Sequence, residues 1–156
     1  MRVDEPRLAT DDLFGPLADE YEAWYATPLG AFVIALEERA LLDALPDAVG
    51  RLIEIGAGTG WWTRTLARRG FTVTAVEPSA PMRRVGAARG QGPIEWLAGR
   101  AEQLPVPDDS FDVVLLMTVL EFVSGPERAR RSTNSRQNPW YPYNAAPGSP
   151  PPRRCG

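Results

Sequence analysis

The chain has 156 residues, which is enough for one domain with a sizeable core, and its formal net charge is −3. This modest charge gives no electrostatic reason to expect nucleic acid as a partner. All 17 basic residues are arginine, and the sequence has no lysine and no histidine. Lysine Schiff-base chemistry, a histidine general base and histidine metal ligands are therefore excluded. The single cysteine, Cys155, cannot build a zinc site alone, and we predict no metal site.

Composition also divides the chain. The first residues are acidic and lack the apolar stretch of a signal peptide. No run approaches the ~18 apolar residues of a membrane span. We therefore expect a soluble cytoplasmic protein. Residues 132–156 contain no acidic residue but six of the 16 prolines, which predicts a disordered tail, natural or abnormal in origin. We predict a helical cap over 1–46, a core over 47–131 and this tail.

Strands and helices alternate in the predicted elements. A helix over 27–46 is predicted with Phe32, Val33, Leu36 and Ala40 on its apolar face. There follow a strand at 51–55, a helix from Trp61 to its stop at Gly70, a strand at 71–76, a helix capped by Ser79 and ended by Gly90, and strands at 94–98 and about 112–118. This alternation predicts βαβ units with a parallel sheet, an α/β fold.

Three alternating glycines follow the first strand, in the stretch EIGAGTG. Gly56 and Gly58 fit the first two positions of a dinucleotide fingerprint, but Trp61 stands where the third glycine belongs, and Gly60 comes one residue early. A Walker phosphate loop needs a lysine, which the chain lacks. The loop therefore predicts close backbone approach to a ligand without a pyrophosphate. The glycines could also be strand-exit residues at positive φ.

The acidic residue Glu77 ends the second strand, 19 residues beyond Gly58. A carboxylate at this position can accept hydrogen bonds from both hydroxyls of a ribose. Adenosine without a pyrophosphate describes S-adenosylmethionine, which we predict as the cofactor. A solvent-exposed, structural Glu77 is the alternative.

Residues 51–123 resemble the class I S-adenosylmethionine-dependent methyltransferases, and most of all the type 11 methyltransferase domains. The resemblance rests on four ordered segments: EIGAGTG, VEPS after the second strand, AEQLPVPDDSFDVV leading into the fourth, and LLMTVLEFV. It implies a Rossmann-like, mostly parallel sheet with strand order 3-2-1-4 and N-terminal helices. It also implies methyl transfer to an unidentified acceptor, which we expect to be a small molecule.

The resemblance further implies a role for each matching residue. The three glycines would pass under the methionine part of the cofactor, and Glu54 would support the loop and the cofactor's amino group. Glu77 would hold the ribose. The remaining cofactor contacts would come from Pro78, Met82, Ala101, Glu102, Met117 and Thr118. No catalytic residue is predicted, since a sulfonium methyl group needs mainly an aligned nucleophile.

The sequence departs from the family pattern at Arg100, where such domains usually have an acidic residue near the adenine. Arginine cannot accept that hydrogen bond, so affinity would fall unless Glu102 takes over the function. Two alternatives remain: a truncated, non-catalytic module, and a nucleotide-binding oxidoreductase fragment, which Trp61 disfavours.

The fourth predicted strand would be central in a full domain of this family, because further strands follow it there. Here the sequence predicts an open edge without lysine or proline to protect it. We therefore expect self-association through this strand, and weak or absent catalysis.

Overall fold

Strands and helices alternate through residues 13–90, 92–119 and 122–123, the part of the chain that this computed structural model describes. Two short 3₁₀ helices, Gly15–Leu17 and Tyr21–Ala26, come first. The remaining elements are α1 (Pro28–Ala44), β1 (Arg51–Ile55), α2 (Trp61–Arg68), β2 (Thr72–Val76), α3 (Ala80–Arg89), β3 (Ile94–Leu97) and β4 (Val113–Leu116). The predicted tail, 132–156, lies outside the described residues.

The four strands form one parallel sheet with the order β3-β2-β1-β4, which confirms the predicted fold class and strand order. The two central strands are buried on both faces, as expected for a parallel sheet covered on both sides. Because all four strands are parallel, their carboxyl ends meet at one edge of the sheet. In open α/β sheets ligands bind at this edge.

Local capping signals set the ends of two helices as predicted. The Ser79 side chain accepts a hydrogen bond from the backbone N–H of Met82, and Gly90 follows the last residue of α3. Gly70 follows α2 with φ +97°, a left-handed conformation that suits glycine. Trp62 and Leu66 are the apolar side chains that α2 buries.

The helix α1 is present as predicted, but the prediction of its buried face was wrong. Ile34 and Leu41 are the apolar side chains that α1 buries, whereas Phe32 and Leu36 are 61% and 51% exposed. The buried pair packs in a cluster with Leu52, Trp62, Leu66, Phe71 and Val73. Both stripes of α1 are apolar, so periodicity alone cannot choose between them. Packing against Trp62 and its neighbours decides the face.

A second cluster fills the other side of the sheet, with Ile53, Ile55, Val76 and Ala101 at its centre. Residues 15–26, which contain both 3₁₀ helices and are called the N-terminal segment below, cover α3. They do so through a third cluster, in which Ala18, Met82 and Val85 are buried together. Within the described ranges, no helix combines the length and apolar character needed to cross a membrane.

Candidate functional site

The glycine loop leaves β1 in a left-handed backbone conformation at all three glycines. The φ angles of Gly56, Gly58 and Gly60 are +74°, +56° and +78°. The N–H groups of Gly56 and Ala57 both donate to the carbonyl of Val76, at 2.8 and 3.1 Å. The loop is thus tied to the end of β2, and its positive φ angles explain why glycine is needed.

The three glycines differ in what a side chain would meet. A Cβ at Gly58 would have no heavy atom within 4 Å, so this glycine faces open space. A Cβ at Gly56 would lie 2.2 Å from the Val119 side chain, and one at Gly60 would lie 2.8 Å from the ring of Trp96. Close packing within the protein therefore accounts for Gly56 and Gly60, and open space lies only beside Gly58 among the three. The predicted contacts of Gly56 and Gly60 with a cofactor stay predictions.

The carboxylate of Glu77 lies directly beside this loop. One oxygen, Oε2, accepts from the N–H of Gly58 at 2.8 Å, and Oε1 accepts from the N–H of Ser79 at 2.9 Å. A carboxylate has about four acceptor sites, so each oxygen keeps capacity for one further donor. The alternative of a solvent-exposed Glu77 does not fit, since the residue is 8% exposed.

Burial and hydrogen-bond donors act in opposite directions on the pKa of Glu77. Burial raises the pKa of the Glu77 carboxyl above its ordinary value, while the N–H groups of Ser79 and Gly58 and the charge of Arg83 act in the opposite direction. The Arg83 guanidinium also donates to the carbonyls of Glu77 and Pro78, at 2.5 and 2.8 Å. The strand end is therefore held on both its main chain and its side chain.

Glu54 lies one strand away and is enclosed. It is 2% exposed, and its Oε2 accepts a hydrogen bond from the hydroxyl of Thr63 on α2. Burial raises its pKa to about 8; the Thr63 hydrogen bond lowers this value and the negative charge of Glu77 raises it. Glu54 thus joins β1 to α2. Its predicted contact with a ligand's amino group stays a prediction.

Four further residues are predicted to contact the cofactor beyond the second strand, and the structure exposes some of them and buries others. Pro78 is exposed at the end of β2, whereas Met82 is buried beneath the N-terminal segment. Ala101 packs its side chain into the second cluster, so an adenine could meet its backbone but not its methyl group. Glu102 lies 3.6 Å from the guanidinium of Arg100. Arg100 stands where the family usually has an acidic residue, and Glu102 is the carboxylate that could replace that residue. The two side chains thus form an ion pair with each other.

At the end of β4, Met117 and Thr118 differ in the same way. Met117 packs partly against the first cluster, and Thr118 is exposed with φ +51°. A left-handed conformation is strained for a β-branched residue. Val119 follows and covers Gly56. Strained residues often occur at binding sites, and this one lies at the carboxyl edge of the sheet.

The N-terminal segment adds residues that the sequence analysis missed. The carboxylate of Glu22 accepts from the hydroxyl of Thr59 at 2.6 Å and from the Arg64 guanidinium at 2.8 Å. These partners lie 37 and 42 residues away in sequence, so no local pattern indicates them. The ring of Trp96, also missed, fills the space beside Gly60 and Gly86.

The fold and the loop define a class of protein that comparison with known families identifies. A family model described as a methyltransferase domain matches residues 53–134, which is more than half of the chain. The chain belongs to this family, as the resemblance predicted.

Individual relatives agree with the family. The chain is 40% identical over 80 residues to a ubiquinone/menaquinone biosynthesis C-methyltransferase of Rubrivivax gelatinosus, a match that covers 51% of this chain and 32% of that protein. A crystal structure of an S-adenosylmethionine-dependent methyltransferase from Thermotoga maritima, described as a possible histamine N-methyltransferase, superposes with a TM-score of 0.66 at 35% identity. That alignment covers 80% of this chain and 55% of the other. The matched part of this chain thus spans about a third of the first relative and somewhat over half of the second.

Proposed function

We propose that this chain binds S-adenosylmethionine at the carboxyl edge of its sheet and takes part in methyl transfer to a small-molecule acceptor. The observation that carries the proposal is the pairing of Gly58 with Glu77. Open space at a left-handed glycine lies beside a carboxylate that still has acceptor capacity on both oxygens. Two free acceptor sites match the two hydroxyls of a ribose.

When bound, S-adenosylmethionine supplies a methyl group made electrophilic by the sulfonium. The residues of this chain would bind and orient it: Glu77 through the ribose, and the backbone around Gly58 through close approach. Because the loop and Glu77 already hold each other, little reordering is needed on binding. Alignment of the acceptor with the methyl group can contribute about 7–11 kcal/mol to lowering the barrier.

The oxidoreductase alternative has less support. Trp61 occupies the position at which a dinucleotide site needs its third glycine, and its ring packs on Tyr25 with 4.9 Å between centroids. A module that binds the cofactor without transferring methyl groups remains the second candidate, since the chain spans part of its relatives' length. The acceptor class and the cytoplasmic location stay predictions.

Calorimetry tests the proposal with S-adenosylmethionine, S-adenosylhomocysteine and NAD as separate ligands. We expect binding of the first two and not of NAD. In Glu77→Ala, S-adenosylhomocysteine should bind more weakly by roughly 1.5–3 kcal/mol, the range for hydrogen bonds to a charged group. The matched control is Glu38→Ala, which removes a carboxylate from the exposed ion pair with Arg69.

Thermal unfolding of both variants separates a lost contact from a lost fold, because Glu77 also accepts from the loop backbone. An unchanged dissociation constant in folded Glu77→Ala would remove this residue from the site. Tight binding of NAD by the parent chain would overturn the proposal as a whole. Binding without methyl transfer to any acceptor would favour the non-catalytic module.

A further inference from the structure

One carboxylate joins the N-terminal segment to the glycine loop, to α2 and to α3. Glu22, in the second 3₁₀ helix, bonds Thr59 of the glycine loop and Arg64 of α2 through Oε1. Its other oxygen, Oε2, lies 3.2 Å from the guanidinium of Arg89, the last residue of α3. Arg89 also donates to the carbonyl of Asp19, at 3.1 Å. The segment is thus fastened to the loop and to both helices that flank it.

Thr59, the loop residue between Gly58 and Gly60, is held from two directions. Its hydroxyl donates to Glu22, and its carbonyl accepts from Arg64 at 2.7 Å. Thr59 is 2% exposed. Because Arg64 also bonds Glu22, the three side chains form a closed set of hydrogen bonds around a single loop peptide.

The environment makes this set stronger than an ordinary surface ion pair. The side chains of Arg64 and Glu22 are 12% and 15% exposed, so solvent screens them weakly. Burial raises the pKa of Glu22, but hydrogen bonds from Arg64 and Thr59 and the charges of Arg64 and Arg89 outweigh burial and leave that pKa below its ordinary value. By contrast, Glu38 and Arg69 lie 3.7 Å apart with both side chains more than 40% exposed, and such pairs contribute little.

We propose that Glu22 is a positioning residue for the cofactor loop, so that docking of the N-terminal segment and binding of the cofactor are coupled. The inference rests on the proposed function. Glu22 fixes Thr59, and Thr59 fixes the adjoining Gly58, whose N–H meets Glu77. Since coupling between two events is reciprocal, bound cofactor should in turn hold the segment in place.

The test compares Glu22→Gln with Glu38→Gln, the same chemical change in an exposed pair. Amide hydrogen exchange in the absence of ligand should become faster in the loop 57–60 and in the segment 15–26 of Glu22→Gln, with the sheet unchanged. Glu38→Gln should exchange like the parent. For S-adenosylhomocysteine we expect a dissociation constant raised about 2- to 30-fold in Glu22→Gln, and within about twofold of the parent in Glu38→Gln.

A second variant guards against loss of folding. Thr59→Val keeps the side-chain shape but removes the hydroxyl that donates to Glu22. It should reproduce part of the effect, and its combination with Glu22→Gln should be less than additive, because both changes act on the Thr59–Glu22 hydrogen bond: one removes its donor, and the other removes the charge of its acceptor.

Each outcome decides the inference. Parent-like loop exchange and affinity in Glu22→Gln would overturn it, as would faster exchange spread evenly over sheet and loop, which indicates general destabilisation. If the parent does not bind S-adenosylhomocysteine, the proposed function fails and the coupling fails with it, while a local exchange effect would still establish the structural contact. Loop-confined exchange together with weakened binding supports the coupling.

Discussion

The buried carboxyl of Glu54 makes a prediction about stability and pH. Burial raises its pKa to about 8 from an ordinary value of 4.5. Between these two values the folded protein keeps a proton that the unfolded chain releases. The free energy of unfolding should therefore fall as pH rises through this window, with a contribution from Glu54 of up to about 1.4 kcal/mol per pH unit. Below pH 4.5 the carboxyl is protonated in both the folded and the unfolded chain, so Glu54 no longer makes the free energy of unfolding change with pH.

Glu54→Gln removes the ionisation while preserving size and an oxygen that can accept from Thr63. We expect its stability relative to the parent to grow steadily between pH 5 and pH 8. Urea unfolding followed by tryptophan fluorescence measures this difference at each pH. Glu38→Gln is the control, since its carboxyl lies in an exposed ion pair with Arg69.

The raised pKa of Glu77 acts in the same direction, so a smaller slope should remain in the variant. Parallel pH profiles for the parent and Glu54→Gln would refute the reasoning. They would mean that water or a rearranged side chain solvates the Glu54 carboxylate in the folded protein.

Two further predictions concern packing and assembly. Gly86→Ala would place a Cβ 2.3 Å from the ring of Trp96, so urea unfolding should show the free energy of unfolding lowered by about 1–3 kcal/mol. In the control Gly90→Ala the added Cβ has no contact shorter than 3.5 Å, so stability should change little. Equal losses in the two variants would contradict the packing argument. Among the described residues β4 pairs with β1 alone, so light scattering coupled to size exclusion should find species larger than the 17.1 kDa chain. A monodisperse monomer at every concentration tested would contradict this association.

Most of the sheet was predictable because its signals are local. The apolar run of β1, the β-branched residues of β2 and the serine cap of α3 lie within a few residues of the structure they determine. The position of Glu77 at the end of a strand beside the loop follows from the same reasoning, since parallel strands bring their carboxyl ends together.

The rest depends on contacts between distant residues. Phe32 and Ile34 are both large and apolar, yet packing exposes one and buries the other. Glu22 lies among alternating acidic and aromatic residues, where nothing distinguishes it from a solvent-exposed side chain until Thr59 and Arg64 are placed beside it. Gly60 fits the family motif, but its neighbour is Trp96, which is contributed by a strand far along the chain.

The position of Trp96 has a consequence for motion within the fold. Its ring lies where side chains on Gly60 and Gly86 would be, so it fills the space between the start of α2 and the middle of α3. A sliding motion of these two helices would drive the ring into the backbone of one of them. We therefore expect α2 and α3 to move as one body. Ligand binding at the carboxyl edge of the sheet would then leave the spacing of these two helices unchanged.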